Sequence, residues 1–152
     1  MISKKMAKEI NKQINREFFS AFLYQSMAND AMDKGFQGAA NWLNVQFKEE
    51  QEHAFRFAKY LEDQGAKVVF EAIEAPKTEW ADLAEMFKDA LAHEKKVTAW
   101  INGIFELAVA EKDFATQSML KWFVDEQVEE ESSVSDVLWM LEMSSGSKGA
   151  MY

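Results

Sequence analysis

LNVQFKEEQEHAFRFAKYL, residues 43–61, has apolar residues at the spacing of an α-helix and charged residues at its centre. Steps of three and four residues keep side chains on one face of a helix. The predicted core face comprises Leu43, Phe47, Glu50, His53, Phe57 and Leu61. A carboxylate and an imidazole one turn apart on a buried face are costly unless something binds them. This stretch therefore predicts both a long helix and a candidate site.

Long helical patterns fill most of the chain, which contains only six Gly and one Pro in 152 residues. Ser3, Asp82 and Asp113 are suited to N-capping, and Gly35 and Gly65 to ending a helix. The segment from Ala66 to about Ala81 has no helical period and is too long for a turn between neighbouring helices. Four helices are predicted, over about 4–33, 36 or 37 to 64, 82–112 and 114–143.

Two short connections with one long connection between them define the expected topology. This arrangement predicts an all-α four-helix bundle with a long crossover between the second and third helices. The length fits a single domain, residues 1–152.

The amino-acid composition argues against several classes of protein and of binding site. A net charge of −9 argues against a nucleic-acid surface and is compatible with cationic partners such as metal ions. Because there is no Cys, disulfides and thiolate metal sites are excluded. No stretch resembles a signal peptide or a membrane span, so we expect a soluble, cytoplasmic protein without membrane partners.

Each helical stripe becomes polar near its middle. Since the stripes are phased by their apolar members, these polar side chains should all face the bundle axis. They are Glu17, Glu50, His53, Glu94, Gln127 and Glu130. Such oxygen and nitrogen donors suit iron or manganese. A merely hydrogen-bonded polar layer would need cationic partners, and no Lys or Arg lies on the stripes nearby.

Here the chain resembles the bacterial non-haem ferritins over nearly its whole length. The motifs that carry the resemblance are Glu17-Phe18-Phe19-Ser20-Ala21, Tyr24-Gln25, Glu49-Glu50-x-x-His53, His93-Glu94 and Glu126-Gln127-x-x-Glu130. The resemblance implies a di-iron centre inside the bundle. Glu17 and His53 would bind the first iron, Glu50 would bridge, and Glu94 and Glu130 would bind the second with Gln127 beside it.

The resemblance also implies a third iron site next to the di-iron centre, formed by Glu49, Glu126, Glu129 and Glu130. An acidic run such as residues 125–131 is more often a solvated helix face, and the sequence alone does not show that the two helices meet there.

Three other residues have two interpretations each. Tyr24 lies two turns after Glu17 and either supplies an electron or is a core tyrosine with a satisfied hydroxyl. Trp122 matches an aromatic position of the family or only packs. His93, about 100° around the helix from Glu94, is expected to support the site or the fold rather than bind metal.

The implied activity is ferroxidation, in which Fe(II) is oxidised to Fe(III) by O2 or H2O2. The ferric product would be stored inside a homo-oligomeric shell of 24 subunits with octahedral symmetry. The apolar run Val68-Val69-Phe70 would then pack against a symmetry mate. Gln51 occupies the position of the haem-ligating Met of bacterioferritin, so no haem is expected. Ferritins begin a short fifth helix where this chain ends, at Tyr152, so that helix is expected to be absent or truncated.

Three alternatives stand beside this interpretation. A rubrerythrin-like peroxidase is opposed by the lack of Cys and of a second Glu-x-x-His. A DNA-protecting mini-ferritin is opposed by the complete ligand set within one bundle and the lack of a basic tail. A metal-free helical interaction protein is opposed by the buried carboxylates.

Overall fold

In a computed structural model, residues 1–144 are described and form four long helices with no strand in that range. The helices are α1 (Lys4–Asp33), α2 (Gln37–Asp63), α3 (Leu83–Ala110) and α4 (Phe114–Met143). The predicted all-α four-helix bundle is confirmed. None of these four helices combines the length and the apolar character that crossing a membrane requires. The prediction of an absent or truncated fifth helix concerns residues outside the described range.

The helix ends follow from local side-chain chemistry. Asp82 accepts a hydrogen bond from the backbone N–H of Glu85 at 2.8 Å and thereby caps α3. The Glu85 carboxylate accepts from the N–H of Ala81 at 2.7 Å, whereas in a standard capping box it would accept from the N–H of the capping residue, here Asp82. Gly35 and Gly65 follow α1 and α2 with φ of 86° and 73°, a left-handed conformation that ends a helix at little cost.

The long crossover, residues 64–82, runs along α1. Near its start, the Asn11 side chain donates to the backbone oxygen of Lys67 at 3.0 Å. Near its end, the backbone N–H of Trp80 donates to the Asp30 carboxylate at 3.2 Å. Since Asn11 and Asp30 lie near opposite ends of α1, the crossover traverses the length of the bundle.

Two apolar clusters show how the helices are oriented. One joins the second half of α1, the first halves of α2 and α3, and the second half of α4. The other joins the remaining halves. Therefore α1 and α4 run in one direction and α2 and α3 in the other. The polar residues of each helix lie between these two clusters, so the apolar core encloses a polar layer.

The core face of α2 differs from the prediction at one position. Phe47 is only partly buried, whereas Gln46 is 7% exposed. Steps of three and four residues from Leu43 to Glu50 can pass through either position. The sequence favoured Phe47 because it is apolar, but Gln46 takes the inner position. An amide thus joins the polar layer.

Candidate metal centre

Two groups of ligand atoms meet in the polar layer. Glu17, Glu50 and His53 form one group, and Glu50, Glu94 and Glu130 form the other. Within each group the atoms lie within 4.8 Å of one another, and all five side chains are buried. Because Glu50 belongs to both groups, its carboxylate is placed to bridge two cations. These are the residues that the sequence predicted for the two iron positions.

Buried polar atoms without partners test whether a cation fits. Among the described residues, the buried side-chain atoms lacking a hydrogen bond are Glu17 Oε2, Gln46 Oε1, Glu50 Oε1, His53 Nδ1 and Glu130 Oε2. Four of these five atoms belong to predicted ligands. An unsatisfied buried polar group destabilises a fold, and converging carboxylate oxygens and a ring nitrogen can be satisfied together by a metal cation. The donor set therefore fits iron.

A chain of hydrogen bonds orients one oxygen of the Glu17 carboxylate and leaves the other oxygen free. Its Oε1 accepts from the Gln13 side-chain amide at 3.0 Å, and the Gln13 oxygen accepts from Arg16 at 3.2 Å. The other Glu17 oxygen remains open toward His53 Nδ1, 3.8 Å away. The carboxylate is thus oriented by its neighbours and presents a free oxygen to the site.

Glu94 is fixed from two sides. The Tyr24 hydroxyl donates to its Oε1 at 2.9 Å, and the Gln127 amide donates to its Oε2 at 3.2 Å. The same Gln127 nitrogen lies 3.1 Å from the Thr98 hydroxyl. Gln127 therefore orients Glu94 through its side-chain nitrogen, and this role does not depend on what its side-chain oxygen contacts.

The half of the centre that contains His53 has strongly coupled charges. Burial would lower the pKa of His53, but the carboxylates of Glu17 and Glu50 outweigh burial and raise it to about 11. Burial would raise the pKa of Glu17, but the His53 contact lowers it. Burial and the charges of Glu17 and Glu94 raise the pKa of Glu50 well above its usual range. Without a metal, protonated His53 balances the charge of the Glu17 carboxylate, and a proton on Glu50 removes the charge of that group.

In the second half of the centre, burial likewise raises the pKa values of carboxylates. Burial raises the pKa of Glu94 to about 7, against the opposing hydrogen bonds from Tyr24 and Gln127. Burial and the charge of Glu94 raise the pKa of Glu130 to about 8. A cation bound between these carboxylates would favour their ionised forms, so metal and protons compete for the same atoms.

A cavity of about 300 Å³ opens between α2 and α4 beside the centre. Its lining residues are Gln46, Glu49, Glu52, His53, Arg56, Trp122, Glu126, Glu129, Glu130 and Ser133. All four residues predicted for the third site line it, so the two acidic helix faces do meet. Within it, His53, Glu126 and Glu130 bring ligand atoms within 4.8 Å of one another, a tighter group than the predicted set.

Trp122 and His93 lie on different sides of the bundle. The Trp122 and His53 rings make a T-shaped contact with 5.4 Å between their centroids, and the Arg56 guanidinium lies 3.7 Å from the Trp122 centroid. His93 instead has its Nε2 2.6 Å from the Ser20 hydroxyl, and burial lowers its pKa to about 4. Neutral His93 is absent from the close ligand groups of the described residues.

Sequence reasoning missed three residues that the structure places around the centre. Gln13 lies one turn before Glu17 and Thr98 one turn after Glu94, so helical spacing from the predicted ligands could have found both. Gln46 lies one turn before Glu50, but the apolar Phe47 beside it hid its inward position.

Replacing Tyr24 tests how much the orientation of Glu94 matters. The sequence predicts Fe(II) oxidation at this centre. In Tyr24→Phe the aromatic ring is retained and the hydrogen bond to Glu94 is lost, so we expect the predicted oxidation to slow by about tenfold. Stopped-flow absorbance after mixing with Fe(II) in air measures this rate. Tyr60→Phe is the matched control, because the Tyr60 hydroxyl instead contacts Thr116 in the other half of the bundle. A rate equal to that of the control would show that the Tyr24 hydroxyl is not needed.

Four helices enclosing buried carboxylates and a histidine define a class, the carboxylate-lined four-helix bundles. Comparison with known proteins is more specific. The family described as Ferritin-like domain matches residues 7–144, and the chain belongs to this family.

Individual relatives agree with this assignment. The bacterial non-heme ferritin of Staphylococcus epidermidis is 43% identical over 133 residues, which cover 88% of this chain and 80% of the relative. That of Staphylococcus aureus strain USA300 is 42% identical over 132 residues, covering 87% and 80%. Among solved structures, an open pore ferritin from the archaeon Archaeoglobus fulgidus superimposes with a TM-score of 0.97 at 40% identity, covering 99% of this chain and 93% of that one.

Proposed function

We propose that this protein stores iron, and that it oxidises Fe(II) to Fe(III) with O2 or H2O2 at the centre between the four helices. The observation that carries the proposal is the set of buried ligand atoms that lack a hydrogen bond, on Glu17, Glu50, His53 and Glu130. A hydrogen-bonded polar layer would leave no such set. Membership of the ferritin-like family supports the same conclusion.

In the proposed reaction two Fe(II) ions are the substrate. Glu17 and His53 would bind one ion, Glu94 and Glu130 the other, and Glu50 both. Each ion gives up one electron. The two electrons, with two protons, convert O2 to H2O2, or H2O2 to two molecules of water. Carboxylate ligands favour Fe(III) over Fe(II), which makes the oxidation easier.

The chain's own residues prepare this step. Gln13 orients Glu17, and Tyr24 and Gln127 orient Glu94, so the ligands need little reorganisation when iron binds. Binding displaces the protons held by Glu94, Glu130 and their neighbours. Weaker ligation of the second ion, by carboxylates and an amide without a histidine, suits a product that must leave the site.

Storage requires a shell, and we propose that 24 copies form one with octahedral symmetry in the cytoplasm. The crossover supports assembly, because Val69 and Phe70 are 48% and 62% exposed on the single chain. Phe70 packs edge-on against Phe18, which also contacts Phe55, itself 58% exposed. Such an aromatic surface fits a protein contact.

Size-exclusion chromatography after aerobic addition of Fe(II) tests storage. We expect iron to co-elute with a very large protein particle, in amounts far above three ions per chain. Protein and iron are followed in the same fractions, with a Fe(II)-free sample as the control. If the iron were oxidised but eluted with a small oligomer, the protein would be a di-iron oxidase rather than a store.

A further inference from the structure

The unpartnered oxygen of Gln46 has no explanation in the two-iron centre. The Gln46 side chain is 7% exposed, and its Oε1 is buried without a hydrogen bond to any described residue. Gln46 is not among the residues predicted to hold the two irons, and its side chain lines the cavity beside the centre. A buried amide oxygen without a donor is destabilising, so its position calls for a partner.

The position of Gln46 in the cavity between α2 and α4 indicates what that partner is. Gln46, Glu49 and His53 lie on one face of α2 and line the cavity. Glu126, Glu129, Glu130 and Ser133 line the opposite wall at the same spacing on α4. Because the two helices run antiparallel, Gln46 lies at the Ser133 end and Arg56 at the Trp122 end. Gln46 thus adds a neutral oxygen to a wall of carboxylates.

We propose that Gln46 supplies an amide-oxygen ligand to a divalent cation bound in this cavity, together with Glu126 and Glu130. The inference rests on the proposed function, since the cation would be iron moving to or from the two-iron centre. A neutral ligand adds coordination without adding negative charge to a wall already rich in carboxylates. Hard cations accept amide and carboxylate oxygens in the same site.

Calorimetric titration of the metal-free protein with Fe(II) under argon tests this role without relying on oxidation. We expect the wild type to bind two equivalents per chain and a weaker third, and Glu126→Ala to lose the third. Gln46→Leu should weaken only the third equivalent, by about tenfold. Gln46→Met, closer in shape, serves the same purpose if the Leu variant does not fold.

Two further variants separate the possible roles of the amide. Gln46→Glu retains an oxygen but removes the N–H donors, so it should bind the third equivalent at least as tightly as the wild type. Gln51→Leu makes the same change as Gln46→Leu on the same helix, at a residue that does not line the cavity, and should leave all three equivalents unchanged.

Several results would overturn the inference. In one, Gln46→Leu binds the third equivalent as the wild type does, or weakens the first two instead. In another, Gln46→Glu weakens the third equivalent as much as Gln46→Leu, which would make the amide a hydrogen-bond donor to the carboxylates. If the wild type bound two equivalents of Fe(II) and no third, the cavity site would be refuted but the two-iron centre would not. Failure to bind any Fe(II) would refute the proposed function as well.

Discussion

Replacing Glu50 should abolish rapid Fe(II) oxidation while leaving the fold intact. Glu50 is the one residue shared by both groups of ligand atoms around the centre. Its loss therefore removes a ligand from both iron positions, and with it the means of holding two ions close enough to share one oxidant molecule. We expect the initial rate to fall by about 100-fold or more in Glu50→Gln and Glu50→Ala.

Without metal, Glu50→Gln should keep the fold and be at least as stable as the wild type. Burial and the charges of Glu17 and Glu94 already disfavour the ionised form of Glu50 and raise its pKa, so a neutral amide of the same shape relieves repulsion. Glu62→Gln, an exposed position on the same helix, is the matched control for both readouts. Oxidation at the wild-type rate in folded Glu50→Gln would show that the reaction occurs elsewhere.

The fold could be predicted closely because local chemistry determines it. The caps at Ser3, Asp82 and Asp113 all accept the expected backbone hydrogen bonds, so the helix starts were predictable within about a residue. The long crossover between the second and third helices was predictable because residues 66–81 are too long for a turn between neighbouring helices. The polar layer was predictable because apolar neighbours set the phase of each helix.

The remaining features of the site depend on contacts between helices, which the spacing of residues along one helix does not specify. Gln46 is buried and Phe47 beside it is only partly buried, although steps of three and four residues allow either position to face the core. The cavity between α2 and α4 depends on how closely two helices approach across the bundle. Arg56, placed over Trp122 inside that acidic cavity, follows from the same packing.

The titratable groups of the polar layer also make the stability of the metal-free protein depend on pH, and the direction of this dependence is unusual. Glu94 and Glu130 have pKa values of about 7 and 8 in the folded chain, against 4.5 as the ordinary value. His53 has a pKa of about 11 against 6.5. Between pH 6.5 and 8.5 the folded chain therefore holds more protons than the unfolded chain at all three groups.

Stability must consequently fall as the pH rises through this window, by about 1.4 kcal/mol per pH unit for each extra proton held by the folded state. His93 opposes this trend only near pH 6.5, where the folded imidazole is neutral because its pKa is about 4 and the unfolded imidazole is about half protonated. This opposing contribution is about half a proton, smaller than the sum from the other three groups, and it fades as the pH rises toward 8.5. A bound divalent metal replaces those protons, so metal binding should release protons and stabilise the protein more at pH 8.5 than at pH 6.5.

We therefore expect the apparent Tm of the metal-free protein to decrease from pH 6.5 to pH 8.5, and the Tm of the Zn(II)-loaded protein to change little. Differential scanning calorimetry at one subunit concentration measures both. Glu130→Gln should flatten the metal-free profile, because it removes a group that holds a proton only in the folded state, whereas Glu62→Gln should not. A metal-free Tm that rises with pH would mean that the buried carboxylates are already ionised and paired. The layer would then be a structural network rather than a site that exchanges protons for metal.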